Sequence, residues 1–210
     1  MDPVVLLALG TLAFLLLIGV EIVVCLGIGA IMLTYTQNVF GMDNIGAAAF
    51  SEINLFPLLA MPLYILTGDL IAESGIARRL IDFSRALIGW LRGGLALTLL
   101  VTSGFFAAIS GSNSATVAAM GRMMVPEMTK DRYPRDFSAA TAACGGTVGI
   151  IIPPSIVIVI YGVASGTSIG DLFLGGIIPG VLMIASMGLI AFLACRRKGY
   201  GSTFDFSCRV

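Results

Sequence analysis

Hydrophobic and polar residues of this 210-residue chain are grouped in long blocks rather than alternating residue by residue. Continuous apolar runs of this kind are typical of helices that cross a membrane. Short polar segments separate the runs, and a polar tail follows the last one at residues 201–210. The predicted apolar segments, in chain order, are residues 4–35, 55–72, 93–121, 137–164 and 172–195. We therefore predict an all-α, multi-pass integral membrane protein.

The segment at residues 93–121 does not suit a single membrane crossing. As one straight helix its roughly 29 residues would measure about 43 Å, which exceeds a hydrocarbon core of about 30 Å. Arg92 precedes the segment and Arg122 follows it, and basic flanks are typical of the cytoplasmic side. Because both ends then lie on the same side, we predict a re-entrant hairpin of two half-length helices.

A polar cluster in the middle of this segment marks the turn of the hairpin. Its residues are Ser110, Gly111, Ser112, Asn113 and Ser114. Non-helical backbone at membrane depth has to be buried in protein or to line a polar cavity, since lipid offers it no hydrogen-bond partners. The hydroxyl and amide groups of such a turn are suited to bind a small ion or solute.

The segment at residues 137–164 is interrupted as well. Glycines and two consecutive prolines in its middle are incompatible with a regular helix. We predict that the prolines open a new half-helix, whose N-terminus would attract an anion while the preceding carbonyl groups serve a cation. The candidate binding residues of this element are Gly145, Thr147, Gly149, Pro153, Pro154 and Ser155.

Two interrupted elements that are adjacent in sequence favour a secondary transporter, because such proteins build their binding sites from broken helices. Close helix packing by small residues is the alternative, and it is the preferred interpretation of Ser103 and Gly104. An ion channel is a second candidate function. Thr147, Val148 and Gly149 resemble the start of a potassium selectivity filter, but Ile150 and the residues that follow depart from it.

The composition excludes several other classes of protein. The chain is 58% hydrophobic and 11% charged, with 12 basic and 12 acidic residues and no histidine. A balanced charge gives no bulk attraction for nucleic acid, and the lack of histidine removes the usual catalytic base. A serine protease would need Lys130 or Lys198 as its base, and both lie in predicted cytoplasmic segments. We therefore expect no enzyme activity, no cofactor and no metal spacing among Cys25, Cys144, Cys195 and Cys208.

Two further features are open to interpretation. Residues 74–90 combine apolar and basic positions at helical spacing, which predicts a helix lying in the cytoplasmic interface. Glu21 interrupts the first apolar segment, and it is either a functional acid or a residue at a helix break near Gly19.

The motifs described above, together with several others, closely resemble the large permease subunit of tripartite ATP-independent periplasmic (TRAP) transporters. The resemblance extends from Val4 to Tyr200. It is carried by Phe56 to Leu63, Gly75 to Leu80, Leu91 to Ala96, Ile109 to Ser112, Val125 to Met128, and Ile152 to Ser155 with Tyr161 and Gly162.

This resemblance implies a sodium-coupled, elevator-type importer of organic acids such as C4-dicarboxylates, built from inverted repeats in the bacterial inner membrane. It implies two partners, a small four-helix membrane subunit and a periplasmic substrate-binding protein. Sodium is the implied coupling ion, with Ser110, Ser112, Asn113 and Thr147 as its candidate ligands. The resemblance also implies that residues 1–200 are the N-terminal half of the large subunit, whose second half is missing through truncation, splitting or a frameshift. A non-transporting assembly subunit is therefore an alternative.

Overall fold

The computed structural model describes residues 3–37 and 45–201, and these residues form helices and no strand. This confirms the predicted all-α class. The chain divides into two compact units with the boundary between Leu55 and Phe56. The predicted polar tail lies outside the described residues except for Gly201, and so does the polar segment at residues 38–44.

The first unit contains the helices α1 (Pro3–Ile18), α2 (Ile22–Gln37) and α3 (Ile45–Ile53). The single apolar segment predicted over residues 4–35 is thus two helices, because the chain breaks at Gly19, which has a φ of +87°. The hydroxyl of Thr11 in α1 donates to the sulfur of Met32 in α2 over 3.7 Å, so the two helices pack as a pair. Glu21 is exposed in the break between them.

The second unit begins with a 3₁₀ turn (Phe56–Leu59) and the helices α4 (Ala60–Glu73) and α5 (Ile76–Ile88). Gly75, at φ +80°, lies between the two helices, which are bent by 71° relative to each other. Helix α5 has the amphipathic character that the sequence predicts. It exposes Arg78 and Arg79 and buries Ala77, Ile81 and Ser84.

Helices α6 (Gly94–Ser110) and α7 (Asn113–Lys130) form a hairpin that turns at Gly111 and Ser112, within the predicted polar cluster, and its re-entrant path in a membrane stays a prediction. Its arms are longer than the half-length helices expected. The 17 residues of α6 correspond to about 26 Å, and α7 continues well past residue 121. Residues 122–130 of this extension include three methionines, one arginine, one glutamate and one lysine, which are good helix formers, and the helix continues through Pro126.

The interrupted element consists of α8 (Arg135–Thr147), a 3₁₀ turn (Val148–Ile150) and α9 (Ile156–Ser165). The break is therefore shorter than predicted, since Gly145 still belongs to a helix. Pro153 and Pro154 precede α9 and do not occupy its first turn, so the prediction that they open the half-helix was wrong. Ser155 begins that helix instead, because its hydroxyl can cap a backbone N–H and a proline ring cannot.

Helix α10 (Ile169–Lys198) has 30 residues, and in the described part of the chain it alone is long and apolar enough to cross a membrane by itself. Leu174, Ile178 and Ile190 on this helix are 68–70% exposed. The helix pair at residues 56–71 and 76–88 passes the same test only as a bent span. The shorter apolar helical stretches cover Val5–Ile18, Ile22–Tyr35, Gly94–Ser110 and Ile156–Ser165.

Helix α6 is the centre of the second unit and contacts α4, α5, α7, α8 and α10. Leu99 and Phe106 from α6 pack with Met120, Met124 and Met128 from α7, and all five side chains are fully buried. Burying side chains of this size stabilises a soluble protein by about 1.5–3 kcal/mol each. In a membrane, where the surroundings are equally apolar, close packing supplies the stabilisation instead.

Candidate ion and substrate site

Two serines begin the helices that follow the two breaks. Ser112 precedes α7, and its Oγ accepts the backbone N–H of Ala115 at 3.4 Å. Ser155 precedes α9, and its Oγ accepts the backbone N–H of Ile158 at 3.5 Å. Both serines have extended backbone angles, as residues that cap a helix N-terminus do. Each break therefore presents the N-terminal end of a helix, which carries a partial positive charge.

The two breaks are in direct contact. The backbone N–H of Ile156 donates to the carbonyl oxygen of Gly111 at 3.3 Å. Gly111 has a φ of +60°, and a β-carbon added there would lie 2.5 Å from the carbonyl oxygen of Pro154. A β-carbon at Gly149 would lie 3.0 Å from the carbonyl oxygen of Ser112. The two interrupted elements that the sequence predicts therefore meet at their breaks. We call this contact the crossing, and it depends on glycines because they let the two backbones approach closely.

Helix α8 lies against both arms of the hairpin through two further glycines. A β-carbon at Gly145 would lie 2.6 Å from the hydroxyl of Ser103 in α6. A β-carbon at Gly146 would overlap the side chain of Val117 in α7 and lie 2.8 Å from Oδ1 of Asn113. The Asn113 side chain is therefore placed between the hairpin turn and the end of α8.

A small network of hydroxyl groups holds the turn of the hairpin from behind. The Thr116 hydroxyl donates to the carbonyl oxygen of Ser112 at 2.7 Å and lies 3.2 Å from the hydroxyl of Ser110. Thr116 is fully buried and Ser110 is 1% exposed. Polar groups buried in this way stabilise a structure only when they are paired. The network therefore fixes the turn and leaves its outer side, Ser112 to Ser114, available.

A cavity of about 600 Å³ opens at this outer side. The hairpin turn contributes polar groups, with Ser112 and Ser114 joined through their hydroxyls at 3.2 Å. The opposite wall is apolar and contains Ile150, Ile156 and Val157. A cavity with hydroxyl, amide and helix N-terminal groups on one side and aliphatic groups on the other is suited to a small anion with a carbon skeleton.

The predicted site residues occupy three kinds of position. Ser112 and Asn113 line the cavity, together with Gly111 and Ser114. Ser110 and Ser155 are buried behind it, in the hydroxyl network and at the start of α9. Of the remaining residues, Thr147 donates its hydroxyl to the carbonyl oxygen of Cys144 at 2.6 Å, and Gly145, Gly149, Pro153 and Pro154 form the helix contacts and the break.

The oxygen atoms near the crossing are of a type that suits a hard monovalent cation. They are hydroxyl, amide and carbonyl oxygens, and the described residues contain no cluster of three His, Cys, Asp or Glu side chains. Of the four predicted sodium ligands, Ser112 and Asn113 line the cavity, and the Ser112 hydroxyl also caps α7. Ser110 and Thr147 do not line the cavity and take part in the hydrogen bonds described above.

The segment that resembles a selectivity filter, beginning at Thr147, also has backbone groups that are hydrogen-bonded within the protein. Residues 148–150 form a 3₁₀ turn, and the carbonyl oxygen of Val148 accepts the N–H groups of both Ile151 and Ile152 at 3.0 Å. A selectivity filter needs carbonyl oxygens that point into a pore and replace the water around an ion. This geometry does not favour the channel interpretation.

Sequence reasoning missed the buried hydroxyl groups. Thr116 follows Ser112 by four residues, and threonine in a helix commonly bonds to the carbonyl four residues before it, so its link to the turn could have been inferred. Thr98, Thr102 and Ser103 carry buried hydroxyls without a hydrogen-bond partner in the described part of the chain. They stand in an apolar run with no local sign that distinguishes them from packing residues.

Comparison with known protein families identifies the family of this chain. The model of the family "Tripartite ATP-independent periplasmic transporter, DctM component" matches residues 9–210. The chain belongs to this family. The resemblance inferred from the sequence motifs is thereby confirmed.

Several curated relatives cover most of this chain. The isethionate TRAP transporter permease protein DctMQ of Oleidesulfovibrio alaskensis is 39% identical over 95% of this chain and 31% of that protein. The C4-dicarboxylate TRAP transporter large permease DctM of Pseudomonas aeruginosa is 41% identical over 76% of this chain and 38% of its own length. The sialic acid permease SiaM of Vibrio cholerae is 35% identical over 78% and 38%, respectively. The chain spans about a third to a half of the relatives it matches.

Proposed function

We propose that this chain forms part of the large permease of a sodium-coupled TRAP transporter that imports organic acids. The crossing of the two breaks at Gly111 and Ile156 carries this proposal. It places two helix N-termini beside one cavity, and positive helix ends favour a carboxylate. Relatives named for isethionate, C4-dicarboxylates and sialic acid support an anionic solute, and they differ enough that the individual acid stays open.

Sodium is the proposed coupling ion, held at the hairpin turn. Ser112 and Asn113 supply side-chain oxygens next to the cavity, and backbone carbonyl groups at the breaks add further oxygens. An ion bound at this position would lower the cost of placing a carboxylate nearby, because it offsets the negative charge. Coupling between ion and solute follows from that proximity.

The proposed membrane arrangement takes Arg92 and Arg122 as cytoplasmic, with the hairpin re-entrant between them. It is multi-pass and located in the bacterial inner membrane. The hairpin packs against α8, and α10 contacts α6, α8 and α9, which supports an elevator mechanism in which these helices move across the membrane together with the cargo. The small membrane subunit, the periplasmic binding protein and the inverted second half of the permease are the proposed partners.

Uptake into proteoliposomes tests the proposal. The chain is reconstituted with the two partner subunits and with the remainder of a large permease supplied as a separate polypeptide. We expect that Ser112→Ala and Asn113→Ala weaken the sodium dependence of uptake. Ser186→Ala is the matched control, because its exposed hydroxyl on α10 donates only to the carbonyl of Met183. Unchanged sodium-stimulated uptake by both turn variants would overturn the site.

A further inference from the structure

A second cleft, far along α7 from the hairpin turn, has a different chemistry. It has a volume of about 370 Å³ and lies where α7 ends and α8 begins. Its floor is apolar, with Val125 and Pro126, and its polar groups are Thr129, Lys130 and Arg135. The described residues that line it include no carboxylate.

The fold separates the charges of this region. Residues 127–136 contain three acidic and three basic side chains, so the segment is neutral as a whole. Glu127 is paired with Arg85 at 2.5 Å, and Asp131 and Asp136 are not part of the cleft wall. Lys130 and Arg135, by contrast, are exposed at the cleft and belong to no ion pair in the described part of the chain.

The start of α8 lies at the cleft through Arg135. Arg135 is the first residue of that helix, and Pro134 before it provides no side-chain hydrogen bond to the first turn. The first N–H groups of a helix carry a partial positive charge that favours an anion. Asp136 in the same first turn offsets part of this charge, so the positive character of the cleft rests on Lys130 and Arg135, which line it beside the apolar Val125 and Pro126.

We propose that this cleft binds the headgroup of an anionic phospholipid. A phosphodiester would lie between Lys130 and Arg135, and the glycerol and the first acyl carbons would rest on Val125 and Pro126. A free phosphate ion could make the same ionic contacts with the two cations, but it has no carbon atoms that could pack on the apolar floor. The proposal depends on the interfacial, cytoplasmic position of this end of the hairpin, but not on transport.

Lipid binding to the purified chain in detergent tests the site, by native mass spectrometry and by thermal unfolding with added lipid. The probes are phosphatidylglycerol, phosphatidylcholine and inorganic phosphate. We expect phosphatidylglycerol to bind in preference to phosphatidylcholine, and the double variant Lys130→Gln/Arg135→Gln to weaken that binding on the order of tenfold or more. The charge-preserving variant Lys130→Arg/Arg135→Lys keeps most of the binding and shows that the fold tolerates change here.

Arg196→Gln/Arg197→Gln is the matched control, because it removes two charges from the end of α10 and leaves the cleft intact. Equal losses in the two double variants would overturn the proposal in favour of general surface charge. Binding of phosphatidylcholine as tight as that of phosphatidylglycerol would also overturn it. Displacement of the lipid by inorganic phosphate at matched concentration would identify a free-anion site instead. None of these results depends on sodium-coupled uptake.

Discussion

The backbone N–H of Ile156 donates to the carbonyl oxygen of Gly111 over 3.3 Å, and this bond joins the two broken helices of the second unit. The N–H belongs to the first turn of α9, where a helix has no partner of its own to offer. The carbonyl belongs to the turn between α6 and α7, where the chain is not helical. Each break therefore satisfies a group that the other one leaves unpaired, which explains how two interruptions can coexist inside an apolar protein.

Replacing Gly111 by alanine should destabilise the crossing. The residue has a φ of +60°, and a β-carbon would lie 2.5 Å from the carbonyl oxygen of Pro154. The left-handed conformation alone costs about 1–2 kcal/mol for a residue with a side chain, and the backbone contact adds to that. Gly121→Ala is the control, because its β-carbon would meet nothing within 4 Å and alanine favours a helix. Equal unfolding midpoints of the two variants in detergent would contradict this account.

Gly146→Ala should be harmful in a way that a second substitution relieves. The new β-carbon would overlap a methyl group of Val117 and press on Oδ1 of Asn113. Removing that methyl with Val117→Ala creates the space, so the double variant should be more stable than the sum of the two single effects predicts. An interaction free energy of about 0.5–3 kcal/mol is typical of residues in contact. A double-mutant cycle of thermal or denaturant unfolding measures it, and strict additivity would show that the two residues do not meet.

The hydrophobic pattern was enough to predict the helical class, the hairpin turn at Gly111–Ser112 and the break before Ser155. Those features follow from local rules, since glycine, proline and serine clusters cannot continue a helix in an apolar run. The boundaries of the helices were predicted less accurately from the sequence. Helix α7 extends to Lys130 because its polar half still packs through Met124 and Met128, and this packing is not visible in an average hydrophobicity.

The contacts between the breaks could not be derived from the sequence. Gly111 and Ile156 are far apart along the chain, and only tertiary packing brings them together. The bond of Thr116 to Ser112 could have been inferred from their spacing of four residues, but its contact with Ser110 depends on the turn itself. Arg85 was assigned to a basic interfacial face, although its guanidinium pairs with Glu127 of the hairpin.

Loss of the Arg85–Glu127 ion pair should loosen α5 from the hairpin. The two side chains are 26% and 35% exposed, so water screens the pair in part, and we expect Glu127→Gln to cost on the order of 1 kcal/mol. Arg79→Gln is the control, because Arg79 is on the exposed basic face of α5. Hydrogen exchange of α5 measures the local effect. Faster exchange in the control than in Glu127→Gln would contradict a role for the pair.

Thr116→Val should disturb the hairpin turn while keeping the shape of the side chain. The variant loses the 2.7 Å bond to the carbonyl oxygen of Ser112 and leaves the Ser110 hydroxyl without its neighbour. A buried group left unpaired costs about 1–3 kcal/mol. Thr116→Ser keeps the hydroxyl and should therefore retain most of the stability. Labelling of a cysteine placed at Ser114 reports on the turn, and equal labelling rates in the two variants would exclude this role.

The buried hydroxyl of Tyr133 should make the chain sensitive to alkali. Tyr133 lies in the loop between α7 and α8 and is 3% exposed. Burial raises the pKa of its phenol well above the usual value, although a hydrogen bond from the backbone N–H of Leu95 opposes the shift. The folded state then holds this proton at pH values where the unfolded chain has lost it. Its contribution to stability is therefore complete below about pH 10 and decreases above that, by up to about 1.4 kcal/mol per pH unit.

Tyr133→Phe isolates this contribution, because phenylalanine keeps the ring that stacks on Phe137 at 6.3 Å between centroids and removes the ionisable group. Other groups also release protons in alkali, so the informative quantity is the difference between the wild-type chain and the variant. We expect the unfolding midpoints of the two proteins to run parallel from pH 7 to pH 9.5. Above pH 10 the wild-type midpoint should fall faster, since only that protein has to release the buried proton on unfolding. Parallel curves up to pH 11 would mean that the hydroxyl reaches solvent in the native state.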